Sequence, residues 1–189
     1  RHVGIEREIS DKEITYHFGK AYKDVLKAIM DKDYTEERLE RAARYQYNLL
    51  LSDWFMDRMQ PIKGLKEFLM KLKRRGIRSV IGTGNDKKFM NKALKFLKLD
   101  NVFDLILTIE DVKESKPSPE IVEKAMKHFG VRKNETLFVG DARNDVLSAK
   151  NAGVKSAVVL TGVLNREEAG KLNPDYILEN VLEIERIID

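Results

Sequence analysis

Residues 136–153, TLFVGDARNDVLSAKNAG, decide how the rest of the sequence is interpreted. Apolar, β-prone residues run directly into Gly140-Asp141, and a second aspartate, Asp145, follows four residues later. The residues after Asp145 follow a helical pattern that ends at Gly153, a residue typical of helix C-termini. This order predicts a buried strand, a turn and a helix, with two carboxylates at the point where the strand ends.

The residues from 61 onward alternate between helical and strand patterns. Short apolar runs predict strands, and amphipathic segments between them predict helices at 65–74, 87–99, 119–129, 145–152 and 166–169, with a further helix at the C-terminus. The predicted strands are RSVIGTG, DLILTI, TLFVGD, SAVVLTG and DYIL. Near-continuous apolar strands are typical of a parallel sheet covered on both faces, so we predict an α/β fold with a doubly wound parallel sheet.

The residues before Pro61 show a helical pattern only. Apolar residues recur at helical spacing in 22–29, and a second amphipathic stretch runs over 35–59 and opens at Thr35, a candidate cap. We therefore predict a helical domain at 1–60 and an α/β core domain at 61–189. The aromatic residues of the second stretch are expected to lie mainly in the interior of the helical domain, with contact to a substrate as the alternative; they are Tyr45, Tyr47, Trp54 and Phe55.

The composition excludes several classes of protein. The chain has 189 residues and a net charge of +4, but its Lys and Arg residues are interleaved with Asp and Glu, so we expect no nucleic-acid partner. No apolar run approaches the roughly 18 residues that cross a bilayer, and we expect a cytoplasmic protein. Because cysteine is absent, any metal would need oxygen or histidine ligands. The Lys/Glu-rich balance is typical of thermophiles.

Ligands of such folds bind outside the carboxyl ends of the strands, so the polar residues at those ends are candidates for a site. They are Thr83, Gly84, Asn85, Glu110, Asp111, Asp141 and Thr161. Asp141 and Asp145 could direct two hard oxygens at one Mg²⁺ ion. Alternatively, Asp145 caps its helix and Asp141 forms a turn.

Two further segments contain groups that suit a phosphate. Lys116, in ESKPSPE, could neutralise a phosphate as a point charge, or it could be an ordinary solvated lysine. The Thr83 hydroxyl and the backbone N–H groups of Gly84 and Asn85 could bind an anionic oxygen. Alternatively, Thr83, Asn85 or Asp86 simply caps the next helix.

Taken together, these elements resemble the motifs of the haloacid dehalogenase (HAD) superfamily, in its phosphoglycolate-phosphatase-like branch. Thr83 at a strand end, Lys116-Pro117 and the Gly140-Asp141-x-x-x-Asp145 pattern follow one another in the order of motifs II, III and IV. QPIKGLKEFLMKLKRRGIRSVIGTGN is similar to the segment before motif II, and ISDKEITYHFGKAYKDVL is similar to the start of the helical cap domain. The resemblance implies a HAD-like Rossmannoid core with a helical cap over residues 1–60.

The resemblance also implies roles for these residues. Thr83, Gly84 and Asn85 would bind the transferred phosphoryl group, and Lys116 would stabilise its charge. Asp141 would ligate Mg²⁺, with Asp145 as a second ligand or as a support behind it. His17 and Arg41 are cap residues that could contact an anionic substrate.

The nucleophile of this superfamily belongs to a D-x-D-x-[TV] motif after the first strand. The literal match at residues 31–35 follows a helical pattern, so we interpret it as a turn between helices in which Asp33 or Thr35 caps the next helix. We expect the motif upstream of Arg1, on a strand supplied by another segment. That strand would lie between the RSVIGTG and TLFVGD strands, which therefore should not pair directly.

The resemblance favours a Mg²⁺-dependent phosphatase that hydrolyses a small phosphorylated metabolite through an aspartyl-phosphate intermediate. The alternative is a catalytically inactive HAD-like domain that binds phosphate or has a regulatory role. A dehalogenase is disfavoured, because that chemistry does not need the Mg²⁺ pair at 141 and 145.

Overall fold

The computed structural model describes residues 8–10, 13, 16–17, 22–30 and 34–188. The α-helices are α1 (Tyr22–Ile29), α2 (Glu36–Leu50), α3 (Asp53–Met56), α4 (Leu65–Arg74), α5 (Lys87–Phe96), α6 (Glu120–Phe129), α7 (Arg143–Ala152) and α8 (Arg166–Lys171). The strands are β1 (Val80–Gly82), β2 (Leu105–Leu107), β3 (Leu137–Gly140), β4 (Lys155–Val159) and β5 (Tyr176–Leu178). Short 3-10 helices cover Ile109–Asp111, Lys133–Glu135 and Val181–Arg186. The predicted alternation of strands and helices is confirmed, and the last predicted helix is a 3-10 helix.

Side-chain caps fix where several helices begin. Thr35 accepts a hydrogen bond from the Arg38 N–H at 3.2 Å and so starts α2, as predicted. The predicted helical stretch 35–59 is interrupted after α2, because Ser52 caps a separate helix, α3. At the other end of a helix, Gly153 closes α7 with φ +71°, a left-handed conformation that glycine adopts at little cost. Asp31 and Asp33 lie outside the described residues.

In the part of the chain that the structure describes, all strand pairs are parallel and form two separate sheets. One sheet has the order β1-β2 and the other has the order β3-β4-β5. In the described ranges no strand joins β1 to β3, and a groove of about 1030 Å³ lies between them, with Val80 and Gly82 on one wall and 137–140 on the other. β1 and β3 are only half-buried, whereas β4 is buried along most of its length. The expectation that β1 and β3 do not pair directly is met.

The described residues form four apolar clusters, three around the sheets and one in the helices before Pro61. The largest of the three and the helical one bear on how the chain divides. The larger cluster covers the sheets and includes Phe68, Phe89 and Val159, and the smaller one joins α1 to α2 through residues such as Leu26 and Leu39. Residues 50–59 do not belong to the smaller cluster, because Leu50, Leu51, Phe55, Met56 and Met59 pack against the larger one. The division into domains at 1–60 and 61–189 stays a prediction.

The expectation about the aromatic residues of the helical region is wrong for two of the four. Tyr45 is 52% exposed and Trp54 is 54% exposed, and the guanidinium of Arg58 lies 4.0 Å from the centre of the Trp54 ring. Phe55 is half-buried and contacts the ring of Phe89 in the core. The break between α2 and α3 explains the exposure of Trp54, since it changes the face on which Trp54 lies; Tyr45 lies within α2, on a different face from the buried Leu39 and Ala43. None of the helices in the described part is long and apolar enough to cross a membrane.

Candidate active site

Lys116 connects the end of β1 to the first turn of α7. Its ammonium donates to Asp145 Oδ1 at 2.7 Å and to the Gly82 carbonyl oxygen at 3.2 Å. The two side chains are only 9% and 7% exposed, so Lys116 is not an ordinary solvated lysine. Because β1 ends at Gly82 and α7 follows directly after β3, this ion pair links the carboxyl ends of the two strands that line the groove.

Asp145 uses both of its carboxylate oxygens. While Oδ1 accepts from Lys116, Oδ2 accepts from the backbone N–H groups of Asp141 at 3.2 Å and Ala142 at 3.1 Å. The side chain lies against Gly140, where an added Cβ would be 2.3 Å from the Cβ of Asp145. Asp145 therefore caps α7, as the alternative interpretation proposed, and it also positions the ammonium of Lys116.

Asp141 is half-buried at the end of β3 and presents one unused oxygen. Its Oδ2 accepts a hydrogen bond from the Val163 N–H at 3.1 Å. Its Oδ1 receives no hydrogen bond from any part of the chain that the structure describes. The loop after β4 approaches closely, because a Cβ at Gly162 would lie 2.0 Å from Asp141 Oδ2. The carboxylate is thus held on one side and open on the other.

Thr83 extends the β1-β2 pairing by one hydrogen bond, from its N–H to the Leu107 carbonyl at 2.9 Å. Its hydroxyl oxygen accepts from the backbone N–H of Asn85 at 3.1 Å and from the Asn85 side chain at 3.2 Å. The hydroxyl proton therefore remains available for a ligand. Thr83 does not cap α5; Asp86 does so, by accepting from the Phe89 N–H at 2.9 Å.

A short chain of contacts brings Thr83, Lys116 and Asp141 to one edge of the sheets. Gly82, the neighbour of Thr83, contacts Lys116; Lys116 contacts Asp145; and Asp145 holds the backbone of Asp141. Each of these contacts is 3.2 Å or shorter. Three groups that suit a phosphate and a metal therefore lie around the carboxyl end of the groove.

The other strand-end candidates are used differently. Asp111 pairs with Lys87 at 2.8 Å and accepts from both the N–H and the hydroxyl of Thr108. The hydrogen bond from Lys87, followed by the N–H of Thr108, lowers the pKa of Asp111 to about 2. Glu110 and Thr161 are exposed. Asp111 therefore stabilises the turn after β2.

Two tyrosines of the helical region contact the core beside these groups. The Tyr47 hydroxyl donates to Asp86 Oδ1 at 3.2 Å, next to the Thr83 turn. The guanidinium of Arg143, at the start of α7, lies 5.5 Å from the centre of the Tyr16 ring, and the His17 ring is 5.1 Å from Tyr16. His17 is therefore close to this edge, whereas Arg41 is exposed on α2.

Mg²⁺ favours octahedral oxygen ligation with few protein carboxylates and several waters or phosphate oxygens. The open Oδ1 of Asp141 fits such a ligand set. Across the described ranges there is no group of three or more Asp, Glu or His side chains that could hold a metal alone. Two residues near the site were not predicted from the sequence: Gly162, which contacts Asp141, and Arg143. The position of Gly162 directly after a strand could have indicated its role, whereas Arg143 has no such signal.

Sequence and structure comparisons identify the class of protein. The sequence model of the haloacid dehalogenase-like hydrolase family matches residues 1–159, so this chain belongs to that family. The resemblance noted from the motifs is confirmed, as are the α/β fold and the prediction of a hydrolase.

Individual relatives extend this result. The chain is 37% identical over 130 residues to a pyrophosphatase PpaX of Halalkalibacterium halodurans, a match that covers 69% of this chain and 60% of that protein. It is 29% identical to a pyrophosphatase PpaX of Anoxybacillus flavithermus, over 94% of this chain and 80% of that protein. The crystal structure of a hydrolase from Pseudomonas syringae superposes with a TM-score of 0.81 and 24% identity, over 95% of this chain and 83% of the other, and shows the same fold.

Proposed function

We propose that the protein is a Mg²⁺-dependent phosphatase that hydrolyses a small phosphorylated metabolite in the cytoplasm. The observation that carries this proposal is the position of Lys116, whose buried ammonium lies between the end of β1 and Asp145. A fixed positive charge at the carboxyl ends of parallel strands stabilises the charge that a transferring phosphoryl group carries.

Each residue of this edge has a defined task in the proposal. The Thr83 hydroxyl and the Gly84 N–H bind the phosphoryl oxygens, and Lys116 neutralises their charge. The Asn85 N–H would join them on leaving the Thr83 hydroxyl oxygen, to which it donates at 3.1 Å in this structure. Asp141 would hold Mg²⁺ through Oδ1, where the ion would supply charge neutralisation at the phosphate. Asp145 supports this arrangement from behind, because both of its oxygens already accept hydrogen bonds, from Lys116 and from the backbone N–H groups of Asp141 and Ala142.

The nucleophile would lie on a strand that fills the groove between β1 and β3. We propose that a strand from another segment fills the groove in parallel with β1 and β3, with its carboxyl end beside Lys116 and Asp141. The inner edges of β1 and β3 carry backbone groups whose unsatisfied burial costs about 1–3 kcal/mol each, and such a strand satisfies them. Its D-x-D motif would supply the aspartate that forms the aspartyl-phosphate and the acid/base two residues later.

Hydrolysis of p-nitrophenyl phosphate tests the proposal. The chain is assayed with Mg²⁺, alone and with a synthetic apolar strand peptide that ends in D-x-D-x-T, and a peptide with Asn in place of the first Asp is the matched control. We expect Mg²⁺-dependent turnover in the presence of the Asp peptide. The Asn peptide should give no turnover, and Asp141→Asn should abolish the turnover seen with the Asp peptide. Phosphate binding without turnover under any of these conditions would instead support the inactive phosphate-binding domain.

Pyrophosphate is the first natural substrate to test. The two relatives described above are named pyrophosphatases, and the residues that contact the phosphoryl group in our proposal leave the rest of the substrate undefined. Phosphoglycolate, sugar phosphates and nucleotides form the comparison set in the same assay.

A further inference from the structure

We propose that Arg143 binds the anionic group of the substrate that is not transferred. The preferred substrates are then compact molecules with a second phosphate or a carboxylate beside the reacting phosphoryl group. This inference rests on the proposed function and adds to it the class of substrate.

The position of Arg143 is fixed by the same contacts that build the site. Arg143 is the first residue of α7, two residues after Asp141, and it is half-buried. Asp145 ties the first turn of α7 to the end of β3 through the N–H groups of Asp141 and Ala142. The backbone of Arg143 therefore has a fixed position relative to the groups that would bind the phosphoryl group and the metal.

No carboxylate of the described residues pairs with Arg143. By contrast, Lys116 pairs with Asp145 at 2.7 Å and Lys87 pairs with Asp111 at 2.8 Å. Arg143 forms no ion pair in the part of the chain that the structure describes, although Asp141 is two residues away. Its guanidinium instead lies 5.5 Å from the centre of the Tyr16 ring. A half-buried cation without a carboxylate partner is suited to an incoming anion.

The chemistry of the guanidinium selects the kind of anion. Its planar fork binds a phosphate or a carboxylate through two parallel hydrogen bonds, which the point charge of an ammonium does not reproduce. The Tyr16 ring, whose centre lies 5.5 Å from the guanidinium, belongs to the region that resembles the cap. A phosphate ester of a neutral alcohol has no second anionic group for Arg143 to bind. Pyrophosphate has a second phosphate and 2-phosphoglycolate has a carboxylate.

The test compares Arg143→Gln and Arg143→Lys with a matched control, Arg74→Gln. Arg74 is an exposed arginine at the end of α4, which leads into the opposite, amino-terminal edge of the sheet. For each protein, kcat/KM is measured with pyrophosphate, 2-phosphoglycolate and p-nitrophenyl phosphate, the last of which lacks a second anion, under the conditions that support turnover above.

We expect the ratio of kcat/KM for pyrophosphate to that for p-nitrophenyl phosphate to fall about 10- to 100-fold in Arg143→Gln, as for the loss of charge-assisted hydrogen bonds. Arg143→Lys should recover part of this ratio, and Arg74→Gln should not change it. An unchanged ratio, or an equal loss with all three substrates, would overturn the inference.

A binding measurement separates this inference from the proposed function. Thermal unfolding of the chain is followed with Mg²⁺ and either inorganic phosphate or pyrophosphate, since a ligand raises the midpoint according to its affinity. The inference predicts a larger rise with pyrophosphate than with phosphate, and loss of that difference in Arg143→Gln. Equal rises for both anions contradict it, whereas absence of turnover with any substrate contradicts the proposed function alone.

Discussion

The buried ion pair between Lys116 and Asp145 gives the most quantitative prediction. We consider three variants: Lys116→Met, Asp145→Asn and the combination of both. Within the described residues, Lys116→Met leaves the Asp145 carboxylate, 7% exposed, with its backbone N–H partners, and Asp145→Asn leaves the Lys116 ammonium with the Gly82 carbonyl and the Phe138 ring.

The expected magnitudes follow from burial. Removal of one partner of a buried pair costs about 3–5 kcal/mol, because the remaining charge is uncompensated. The double variant contains no buried charge at this point, so its loss should be smaller than the sum by about 2–3 kcal/mol. For a chain of this size, a loss of 3 kcal/mol lowers the midpoint of thermal unfolding by roughly 6–12 °C.

Urea unfolding of the four proteins measures these free energies, provided that the m-value is unchanged. The control is the ion pair of Lys171 with Glu167, whose N–O distance of 2.6 Å is similar but whose side chains are 70% and 79% exposed. A double-mutant cycle of this control pair should give a coupling free energy below about 1 kcal/mol. Additive losses at Lys116 and Asp145, or single losses no larger than those of the control pair, would refute the reasoning.

Two further predictions concern single residues near the site. Gly162→Ala should weaken Mg²⁺ binding, measured by calorimetry, by about 10-fold or more, because the added Cβ would lie 2.0 Å from Asp141 Oδ2. The control variant, Gly170→Ala, adds a Cβ with nothing within 4 Å and should bind Mg²⁺ as the unchanged protein does. Equal Mg²⁺ affinities of the two variants would contradict this role of the Gly162 contact. The lowered pKa of Asp111, about 2 instead of 3.8, means that its contribution to stability is complete above about pH 4 and is lost as the pH falls toward 2. Asp111→Asn should therefore flatten the pH dependence of the unfolding free energy between pH 4 and 2, and an unchanged slope would contradict this assignment.

The sequence predicted the residues of the site because each one stands where a strand or loop ends. Thr83 and Asp141 follow buried apolar runs, and parallel strands place their carboxyl ends on one edge, so the meeting of these residues follows from topology. The pairing of Lys116 with Asp145 was not predictable, since it joins residues 29 positions apart through a loop whose path no local pattern specifies. The close approach of Gly162 to Asp141 was missed for the same reason.

The exposure of Trp54 shows a second limit. Residues 35–59 favour one helix, and a single helix would place Trp54 on the same face as the buried residues Leu39 and Ala43. The hydroxyl of Ser52 accepts from the Phe55 N–H at 3.2 Å and begins a new helix, which leaves Trp54 outside. A serine is a weak signal within a helical pattern, because it is tolerated inside helices as well as at their caps.

The most direct measurement of the central claim is a crystal structure of the protein with Mg²⁺ and tungstate, an oxyanion that mimics phosphate. The proposal predicts tungstate oxygens about 3 Å from the Thr83 hydroxyl and from Lys116 Nζ, and Mg²⁺ about 2.1 Å from Asp141 Oδ1. Tungstate bound elsewhere, more than about 10 Å from Lys116 Nζ and thus beyond the reach of any direct contact, would contradict it.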